Sequence, residues 1–247
     1  MTPRPFYAIA HHCNLVADLR GALESGANAV ECDIEWDERT WVRHPAVLKD
    51  PLPSGTPLDE YLEALRSAAR AHGELALVIF DIKPTMLEEH VTDLFTRVRA
   101  ELLDSGLKVL FTVPENERLG VFAGIVPLPG DTAAIGVDEE DDPEQVRECL
   151  RRAGVTRGCY GNGIDSLLPH LTSGSMEKAV QRAVELRDAE QAFSLVYRWT
   201  LNAQTSMRTY LDLRVDGIMT DHIGDLLAVL QESPYREAFR LARRESA

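Results

Sequence analysis

Short apolar runs alternate with longer amphipathic segments along most of this chain. Eight runs have the length and apolar content of strands, and they cover residues 6–10, 28–36, 75–82, 108–113, 133–138, 158–162, 193–199 and 217–220. Helical periodicity marks the segments 16–25, 57–72, 86–104, 115–122, 142–153, 175–190, 204–213 and 223–231. Short strands that are mostly apolar are typical of a parallel sheet covered on both faces.

The repeated alternation of strand and helix predicts the fold class. It indicates a parallel sheet with helices between its strands, and the length of 247 residues matches the roughly 250 residues typical of a (β/α)8 barrel. We therefore predict an α/β fold with a single (β/α)8 TIM barrel over residues 1–247. An open doubly wound sheet is the alternative, but His11-His12-Cys13-Asn14 stands where a glycine-rich phosphate loop would follow the first strand.

Local signals mark several boundaries. Gly26, Gly106 and Gly154 are predicted to end helices, and Asp142-Pro143 to begin one. The segment from Thr40 to Pro57 is rich in proline and lacks periodicity, so we predict a long loop after the second strand. Long loops at the carboxyl end of such barrels often carry function.

The charge balance limits the partners that this chain can have. Its 40 acidic and 26 basic residues give a formal net charge of −14. Nucleic acids and anionic membranes attract basic surfaces, so we expect no nucleic acid partner and no lasting attachment to such membranes. No apolar stretch reaches the roughly 18 residues needed to cross a bilayer, so we expect no stable membrane insertion.

The four cysteines form no CxxC pair, which disfavours a zinc site. Cys13 and Cys32 lie near the ends of the first two predicted strands and are expected to be close together. Buried free thiols are favoured for this pair, with a disulfide as the alternative.

Charged side chains stand where two predicted strands end. Glu31 and Asp33 are two residues apart, so on a strand their carboxylates point to the same side, and Asp81 and Lys83 repeat this spacing. Three carboxylates suit a hard cation, so Glu31, Asp33 and Asp81 are predicted to bind Mg²⁺ or Ca²⁺. Lys83 would hold a phosphate oxygen or orient a ligand. A single acid at a strand end would more often be a helix cap or an ion-pair partner.

Two histidines lie near the predicted metal site. His11 ends the first strand and His44 lies in the loop after the second. Imidazole titrates near neutral pH, so one ring can attack or take a proton while the other donates one. We predict that these two are catalytic. His12 would face away from His11 on a strand and is interpreted as structural.

Two aromatic residues share a face of the seventh predicted strand, namely Tyr197 and Trp199. Aromatic faces can hold a quaternary ammonium group, which makes a choline headgroup a suitable ligand. Aromatic packing at the rim of the barrel is the alternative.

A series of motifs follows one another over most of the chain. In order, they are His11-x-x-Asn14, Gly26-Ala27-Asn28-Ala29-Val30-Glu31-Cys32-Asp33, His44, Val78-Ile79-Phe80-Asp81-Ile82-Lys83, Asn162-Gly163-Ile164, Tyr197-Arg198-Trp199-Thr200 and Val215-Asp216-Gly217-Ile218-Met219-Thr220. Together they resemble the family of sphingomyelinase D and phospholipase D toxins, relatives of the glycerophosphodiester phosphodiesterases. The resemblance implies a (β/α)8 barrel with one Mg²⁺. The metal ligands and catalytic pair that it implies are Glu31, Asp33, Asp81, His11 and His44, and the pocket residues are Lys83, Trp199 and Asp221.

The chain departs from that family at several positions. No cysteine follows His44, so the short disulfide loop of the toxins is missing. Asn202 stands where the family usually has an acid, and Asp221 where it usually has asparagine. The aromatic plug of the toxins after Phe239-Arg240 is also absent. These differences weaken the expectation of a preference for sphingomyelin, while the residues of the chemistry are kept. The His-Arg-Gly signature of the soluble glycerophosphodiester phosphodiesterases is missing as well.

Among bacterial relatives, the chain resembles the actinobacterial phospholipase D enzymes that act on single-chain choline lysophospholipids, including the lysoplasmalogen-specific type. This resemblance implies metal-dependent release of choline, giving lysophosphatidate or, if the free hydroxyl of the lipid attacks phosphorus, its cyclic phosphate. Which histidine attacks and which donates a proton stays open. The alternatives are a sphingomyelinase D, a glycerophosphodiester phosphodiesterase, and a non-catalytic lipid-binding barrel.

The substrate contacts are predicted partly from this resemblance and partly from the position of each residue in the predicted elements. Substrate contacts are predicted at Lys83, Tyr197, Trp199, Asn202 and Asp221. Selection of the lipid chain is predicted at Leu211, together with Met207 and Tyr210 on the same predicted helix, although packing of that helix on the barrel is the alternative. We expect a secreted protein whose leader is not part of this chain, acting as a monomer on a lysophospholipid.

Overall fold

The computed structural model describes residues 2–45, 54–113, 119, 122, 124, 133–137, 142–155, 158–163 and 173–244. Its strands are β1 (Arg4–Ala10), β2 (Ala29–Asp37), β3 (Arg39–Val42), β4 (Thr56–Pro57), β5 (Leu77–Ile82), β6 (Lys108–Val113), β7 (Ala133–Val137), β8 (Gly158–Gly163), β9 (Phe193–Trp199), β10 (Gly217–Thr220) and β11 (Phe239–Leu241). Its helices are α1 (Val16–Glu24), α2 (Leu58–Ala71), α3 (Glu88–Leu102), α4 (Pro143–Arg152), α5 (Ser173–Glu190), α6 (Gln204–Asp212), α7 (Ile223–Leu230) and α8 (Tyr235–Ala238), with a 3₁₀ turn at Leu103–Ser105.

Eight parallel strands close into a barrel in the order β1-β2-β5-β6-β7-β8-β9-β10. The circle is completed on both sides of β1, where Ile9 pairs with Ala29 of β2 and with Met219 of β10. This confirms the predicted fold class. Every predicted strand lies within two residues of an observed one at each end. The helix predicted at 115–122 lies mostly outside the described residues.

The segment from Thr40 to Pro57 is not a loop throughout, contrary to the prediction. β3 forms an antiparallel hairpin with β2, and β4 pairs with β3. The loop prediction was wrong here because β3 is only four residues long and is stabilised by its pairing with β2. The hairpin carries the chain back towards the carboxyl end of the barrel.

Side chains of the barrel strands alternate between two apolar layers. On β2, Ala29 belongs to the layer inside the barrel, whereas Val30, Cys32 and Ile34 belong to the layer between strands and helices. The outer layer is completed by helices such as α2, whose buried residues recur with helical spacing. They are Leu58, Tyr61, Leu62, Leu65 and Ala69. Burying each large apolar side chain contributes about 1.5–3 kcal/mol to folding.

The predicted boundary residues have the expected conformations. Gly26, Gly106 and Gly154 follow helical segments with φ of 90°, 71° and 74°, a region that glycine enters at little cost. Asp142 accepts hydrogen bonds from two backbone N–H groups at the start of α4.

The cysteines of the chain are free thiols, and Cys13 and Cys32 are buried. The favoured prediction for this pair is therefore confirmed, and the disulfide alternative is wrong. Among the helices that the structure describes, none combines the length and apolar character required of a membrane span.

A compact ion-pair network lies at the amino-terminal end of the barrel. Arg4 and Arg187 each donate to Asp216, at 2.9 Å and 2.7 Å. Both also contact Asp188, at 3.1 Å and 2.9 Å. Asp216 accepts a further hydrogen bond from the backbone N–H of Val196. Two cations and two carboxylates therefore balance one another at this end.

Candidate active site

Strand alternation brings the predicted acidic residues together at the carboxyl end of the barrel. Glu31 and Asp33 continue the inward face that Ala29 begins on β2. Asp81 pairs with Asp33 in the register of β2 and β5. One oxygen from each of the three carboxylates lies within 4.8 Å of the others, and Glu31 and Asp33 are only 3% and 1% exposed. The structure therefore places these three predicted ligands in one cluster.

The charges in this cluster do not balance. Lys83 Nζ lies 2.5 Å from Asp33 Oδ1 and also contacts Asp81. Burial would raise the pKa of Asp33, but the charges of Lys83 and His12 and the hydrogen bonds from Lys83 and Asn14 together outweigh burial and lower it. Burial and the charge of Asp33 both raise the pKa of Glu31, which accepts a 2.9 Å hydrogen bond from the backbone N–H of His12. Three carboxylates facing one ammonium leave excess negative charge.

This donor set fits a hard divalent cation. Three carboxylates can supply part of the oxygen coordination of Mg²⁺ or Ca²⁺ and leave positions for water and phosphate oxygens. A dication would also neutralise the repulsion that raises the pKa of Glu31. Glu31, Asp33 and Asp81 are therefore the residues that would hold the metal.

Asn14 lies in the candidate site but was missed by the site prediction. Its side-chain amide donates to Asp33 Oδ2 at 2.7 Å, and its carbonyl oxygen accepts from the backbone N–H of Asp33 at 2.9 Å. Asn14 is 8% exposed, and Thr56 donates to its backbone carbonyl. The amide therefore fixes both the backbone and the carboxylate of a candidate metal ligand. The spacing His11-x-x-Asn14 was the only signal for this contact in the sequence.

His11 contacts a carboxylate from the neighbouring strand. Because β1 pairs with β10, residue 11 lies beside the residues that follow Thr220, and His11 Nδ1 is 2.9 Å from Asp221 Oδ1. This hydrogen bond, with a further one from Asn202, lowers the pKa of Asp221 to about 2. Asp221 is then ionised at neutral pH, so His11 Nδ1 donates the proton and Nε2 is the nitrogen that can take one.

His12 does not face away from the site, contrary to the prediction. It has a φ of 54°, so the chain has left the strand conformation and the alternation of β1 no longer applies. Its ring stacks on His11 with centroids 3.9 Å apart and lies 5.5 Å from the ring of His44. Its Nε2 is 3.4 Å from Asp33 Oδ2. Burial lowers the pKa of His12.

His44 reaches the site through the β2–β3 hairpin. The backbone N–H of Arg43 donates to the carbonyl of Asp33 at 3.0 Å, which ties this segment to the metal-binding strand. His44 Nδ1 lies 3.0 Å from the carbonyl oxygen of Pro45. A carbonyl can only accept, so Nδ1 carries a proton and Nε2 is again the nitrogen available for proton transfer.

The two aromatic residues of β9 differ in their accessibility. Tyr197 is fully buried in the layer inside the barrel, so the prediction that it contacts a headgroup is wrong. It lies one layer below the rim. Trp199 is half-buried at the end of the strand and packs against that layer. Its indole covers Gly163, where an added Cβ would lie 2.0 Å from Trp199 Cδ2.

The residues predicted to select the lipid chain belong to the core. Leu211 is 1% exposed and Met207 is fully buried, and both pack between α6 and the barrel. Tyr210 is 6% exposed, and its ring lies 5.2 Å from the guanidinium of Arg198. The prediction for Leu211 is therefore wrong, because the apolar side of α6 covers the strands and does not line the mouth.

Comparison with known proteins identifies relatives over the whole chain. The model of the family described as dermonecrotic toxin SPH matches residues 1–247. A dermonecrotic toxin of Loxosceles arizonica is 29% identical over an alignment covering 96% of each chain. A dermonecrotic toxin of Loxosceles deserta is 26% identical, with 97% of each chain covered.

Solved structures with lower identity share the fold. A glycerophosphodiester phosphodiesterase from Parabacteroides distasonis superimposes with a TM-score of 0.61 at 16% identity, covering 92% of this chain and 98% of its own. A phosphodiesterase from Oleispira antarctica, in complex with the product sn-glycerol-3-phosphate, gives a TM-score of 0.64 at 15% identity with the same coverage. Both support the barrel architecture.

Proposed function

The chain belongs to the dermonecrotic toxin SPH family and is a phospholipase D-type phosphodiesterase, and we propose that it releases choline from lysophospholipids. The proposed substrates are acyl or ether lysophosphatidylcholine, including lysoplasmalogen. The proposed products are lysophosphatidate or its cyclic phosphate. The observation that carries the proposal is the meeting of three carboxylates, Lys83 and two histidines at the carboxyl end of the barrel, where TIM-barrel enzymes have their active sites.

The acidic cluster would act on the phosphate of the substrate. A divalent cation bound by Glu31, Asp33 and Asp81 would supply positive charge to a phosphate oxygen as charge develops in the transition state. Lys83 holds Asp33 and Asp81 in place through its ammonium group. Asn14 fixes Asp33 from the other side.

His11 and His44 would transfer the protons. His11 Nε2 takes the proton from the attacking oxygen, which forms a bond to phosphorus while the bond to the choline oxygen breaks. His44 Nε2, protonated before the reaction, donates its proton to the departing choline oxygen. With water as the attacking group the product is lysophosphatidate, and with the free hydroxyl of the lipid it is the cyclic phosphate. In both cases, His11 takes up one proton and His44 releases one.

Trp199 is the residue proposed to contact the choline headgroup. It is partly exposed at the rim, and its indole lies against Gly163 at the end of β8. An aromatic face in this position can attract a quaternary ammonium group.

A single-chain substrate is favoured by one difference between this chain and the toxins noted above, namely that no cysteine follows His44 to form the disulfide loop. Sphingomyelin is the second candidate substrate, because the curated relatives named above are dermonecrotic toxins. Both candidate functions use the same residues for cleavage, and they differ in the lipid that binds to the site.

The test is choline release from lysophosphatidylcholine, ether lysophospholipid, sphingomyelin and glycerophosphocholine. Each is measured with Mg²⁺, with Ca²⁺ and with EDTA, for the wild type, His11→Ala and His44→Ala. His72→Ala is the matched control, because His72 is an exposed histidine at the end of α2. The proposal expects cation-dependent release from the single-chain lipids, lost in both active-site variants and kept in the control.

Other outcomes would change the proposal in defined ways. Turnover mainly of sphingomyelin would favour the second candidate. Release that survives EDTA or both histidine substitutions would contradict the assigned site.

A further inference from the structure

We propose that Arg43, fixed by the buried carboxylate of Glu35, is the positioning residue of His44. This inference deepens the proposed function and rests on it in giving His44 the task of protonating the departing choline oxygen. The set of contacts around Arg43 is itself a feature of the fold.

Glu35 is a buried carboxylate that the proposed mechanism does not use. It continues the alternation of β2 that carries Glu31 and Asp33, yet it is not part of the cluster that these two form with Asp81. Glu35 is 3% exposed, and its Oε1 accepts a hydrogen bond from Arg43 Nε within an ion pair. A buried carboxylate is tolerated where it is paired and hydrogen-bonded. Arg43 is the cation that supplies this pairing.

The guanidinium of Arg43 contacts three residues of the β2–β3 hairpin. Nε donates to Glu35, and Nη2 donates to Asp37 Oδ2 at 2.7 Å. The guanidinium carbon also lies 4.9 Å from the centroid of the Trp41 ring. Because Nε and Nη2 belong to one rigid plane, the two hydrogen bonds fix the orientation of the side chain as well as its position.

Arg43 also joins the chain that leaves β3 to the chain that enters β4. Its backbone N–H donates to the carbonyl of Asp33 at 3.0 Å, which fixes the residue immediately before His44. Its side chain packs on Gly55, where an added Cβ would lie 2.9 Å from Arg43 Cδ and from the carbonyl oxygen of Val42. A larger residue at position 55 would displace the arginine, so the close approach of the two chains depends on this glycine.

The consequence for His44 is a direct covalent link to an anchored residue. The contact of His44 Nδ1 with the carbonyl oxygen of Pro45, at 3.0 Å, joins two neighbouring residues and moves with the segment. It therefore sets the tautomer of the ring, but not the position of the ring relative to the metal cluster. No disulfide ties the segment down, since the cysteines are free thiols. We infer that the contacts of Arg43 set the position of His44 Nε2.

The test breaks the ion pair from each side. Arg43→Met removes the guanidinium, Glu35→Gln keeps the shape of the side chain without its charge, and the double variant removes both charges. Arg43→Met leaves the carboxylate of Glu35 buried and unpaired, which lowers stability, and the double variant avoids that loss. Arg39→Met is the matched control, because Arg39 is an exposed arginine of the same hairpin whose guanidinium lies 4.1 Å from the centroid of the Trp41 ring.

The first readout is the dependence of kcat on the leaving group. With lysophosphatidylcholine and Mg²⁺, Arg43→Met and the double variant are expected to lower kcat by roughly 10²-fold, with KM changed by less than about threefold. An analogue with p-nitrophenol in place of choline releases a stable phenolate, which needs no proton from His44. On this analogue, the two variants and His44→Ala should lose less than about threefold. The control should match the wild type on both substrates.

The single and double variants together show whether Glu35 acts through Arg43. Glu35→Gln alone is expected to lower kcat on the choline lipid by roughly tenfold, because a neutral amide holds the guanidinium less firmly than a carboxylate does. Once Arg43 is replaced, the change at Glu35 should add no further loss.

The second readout does not depend on activity. Amide hydrogen exchange, measured by NMR on the full-length protein, reports the hydrogen bond from the backbone N–H of residue 43 to Asp33. Exchange of this N–H should be at least about tenfold faster in Glu35→Gln and in the double variant than in the wild type, and unchanged in Arg39→Met. The affinity of Glu35→Gln for Mg²⁺, measured by calorimetry, should change by less than about threefold, because Glu35 lies outside the carboxylate cluster.

Three results would overturn the proposal. The first is an equal loss of kcat on the choline lipid and on the p-nitrophenol analogue, which would assign Arg43 to the general integrity of the site. The second is a double variant with unchanged kcat and unchanged exchange. The third is a large loss of Mg²⁺ affinity in Glu35→Gln, which would make Glu35 a metal ligand. If the wild type cleaves none of the lipids, the proposed function fails, but the exchange readout still decides whether Glu35 and Arg43 hold the segment before His44.

Discussion

The two ends of the barrel differ in how far their buried charges are balanced by groups of opposite charge. At the amino-terminal end, Asp216 is matched by Arg4 and Arg187, and the network with Asp188 contains equal numbers of positive and negative groups. At the carboxyl end, Glu31, Asp33 and Asp81 share only Lys83 as a direct cationic partner among the described residues, apart from the imidazole of His12. One end is balanced and the other carries excess negative charge.

This difference separates a stabilising network from a functional one. Buried charges are tolerated in a fold when they are paired and hydrogen-bonded. A cluster that keeps its like charges unpaired is destabilised until a cation or substrate supplies the missing charge, and perturbed pKa values are a mark of such sites. Substitutions at the carboxyl end should therefore mainly reduce activity, whereas substitutions at the amino-terminal end should mainly reduce stability.

The largest effect on activity is expected from Glu31→Gln. Loss of a ligand and of its charge should lower kcat/KM on the order of a thousandfold, the scale found when electrostatic stabilisation of a transition state is removed. In EDTA, the same variant should be as stable as the wild type or more stable, because a repelled carboxylate has been removed. Choline release and thermal unfolding measure the two quantities.

The pH dependence of the stability of the metal-free protein tests whether the carboxylate of Glu31 is destabilising. The folded-state pKa of Glu31 lies above its ordinary value of 4.5, so above that pH the unfolded chain ionises more readily than the folded one. Wild-type stability in EDTA should fall as pH rises from 4.5 towards the raised pKa, and Glu31→Gln should lose stability less steeply. Glu24→Gln, on the exposed face of α1, is the control. A wild-type Tm that climbs with pH by more than that of Glu31→Gln would contradict the argument.

The opposite pattern is expected at the amino-terminal end. Arg187→Met removes one partner of buried Asp216 and should cost about 3 kcal/mol of unfolding free energy, since it leaves a buried charge with less compensation. The kcat of the folded enzyme should change little, because this network lies at the other end of the strands. Urea unfolding with Arg97→Met as control, an exposed Arg paired with Asp59 and Asp93, should show a loss under about 1 kcal/mol for the control.

Much of the site could be predicted from strand periodicity. The errors of that prediction have physical causes. Glu31, Asp33 and Asp81 could be predicted because alternation along a strand is regular and parallel strands end at one edge. The same rule failed for His12, since a residue with positive φ ends the alternation. It also failed for Tyr197, since facing inward does not tell which layer of the barrel a residue occupies.

Contacts between side chains could not be obtained from the pattern. Asn14 is a short polar residue after a strand, and only the folded chain shows that both ends of its amide meet Asp33. Leu211 looked accessible because it follows a strand at the mouth, but the apolar stripe of α6 is needed to cover the barrel. The family-level resemblance is confirmed, whereas a pattern of strands gives no information on the identity of the substrate.

A smaller effect at the carboxyl end is expected from Asn14→Ala. It keeps all three carboxylates but releases Asp33, so Mg²⁺ affinity should fall about 10–100-fold, the usual range for residues that orient metal ligands. Isothermal titration calorimetry measures this directly. Thr56→Val, which removes only the hydroxyl that bonds the backbone of Asn14, should have a weaker effect. Equal affinities in Asn14→Ala and the wild type would contradict this, and would show that Lys83 and His12 hold Asp33 without Asn14.

The smallest effect is expected from Gly163→Ala, which tests whether Trp199 belongs to the functional end of the barrel. The new methyl group would lie 2.0 Å from Trp199 Cδ2 and 2.2 Å from its backbone oxygen, so both the indole and the backbone of Trp199 must move. We expect KM for choline lipids to rise about fivefold, the equivalent of roughly 1 kcal/mol of cation–π contact, with Mg²⁺ affinity unchanged. Gly174→Ala on α5, where an added Cβ meets nothing within 4 Å, is the control. A rise in KM that is equal for lipids with choline and with ethanolamine would place Trp199 in barrel packing, because a contact specific to the quaternary ammonium should distinguish the two headgroups.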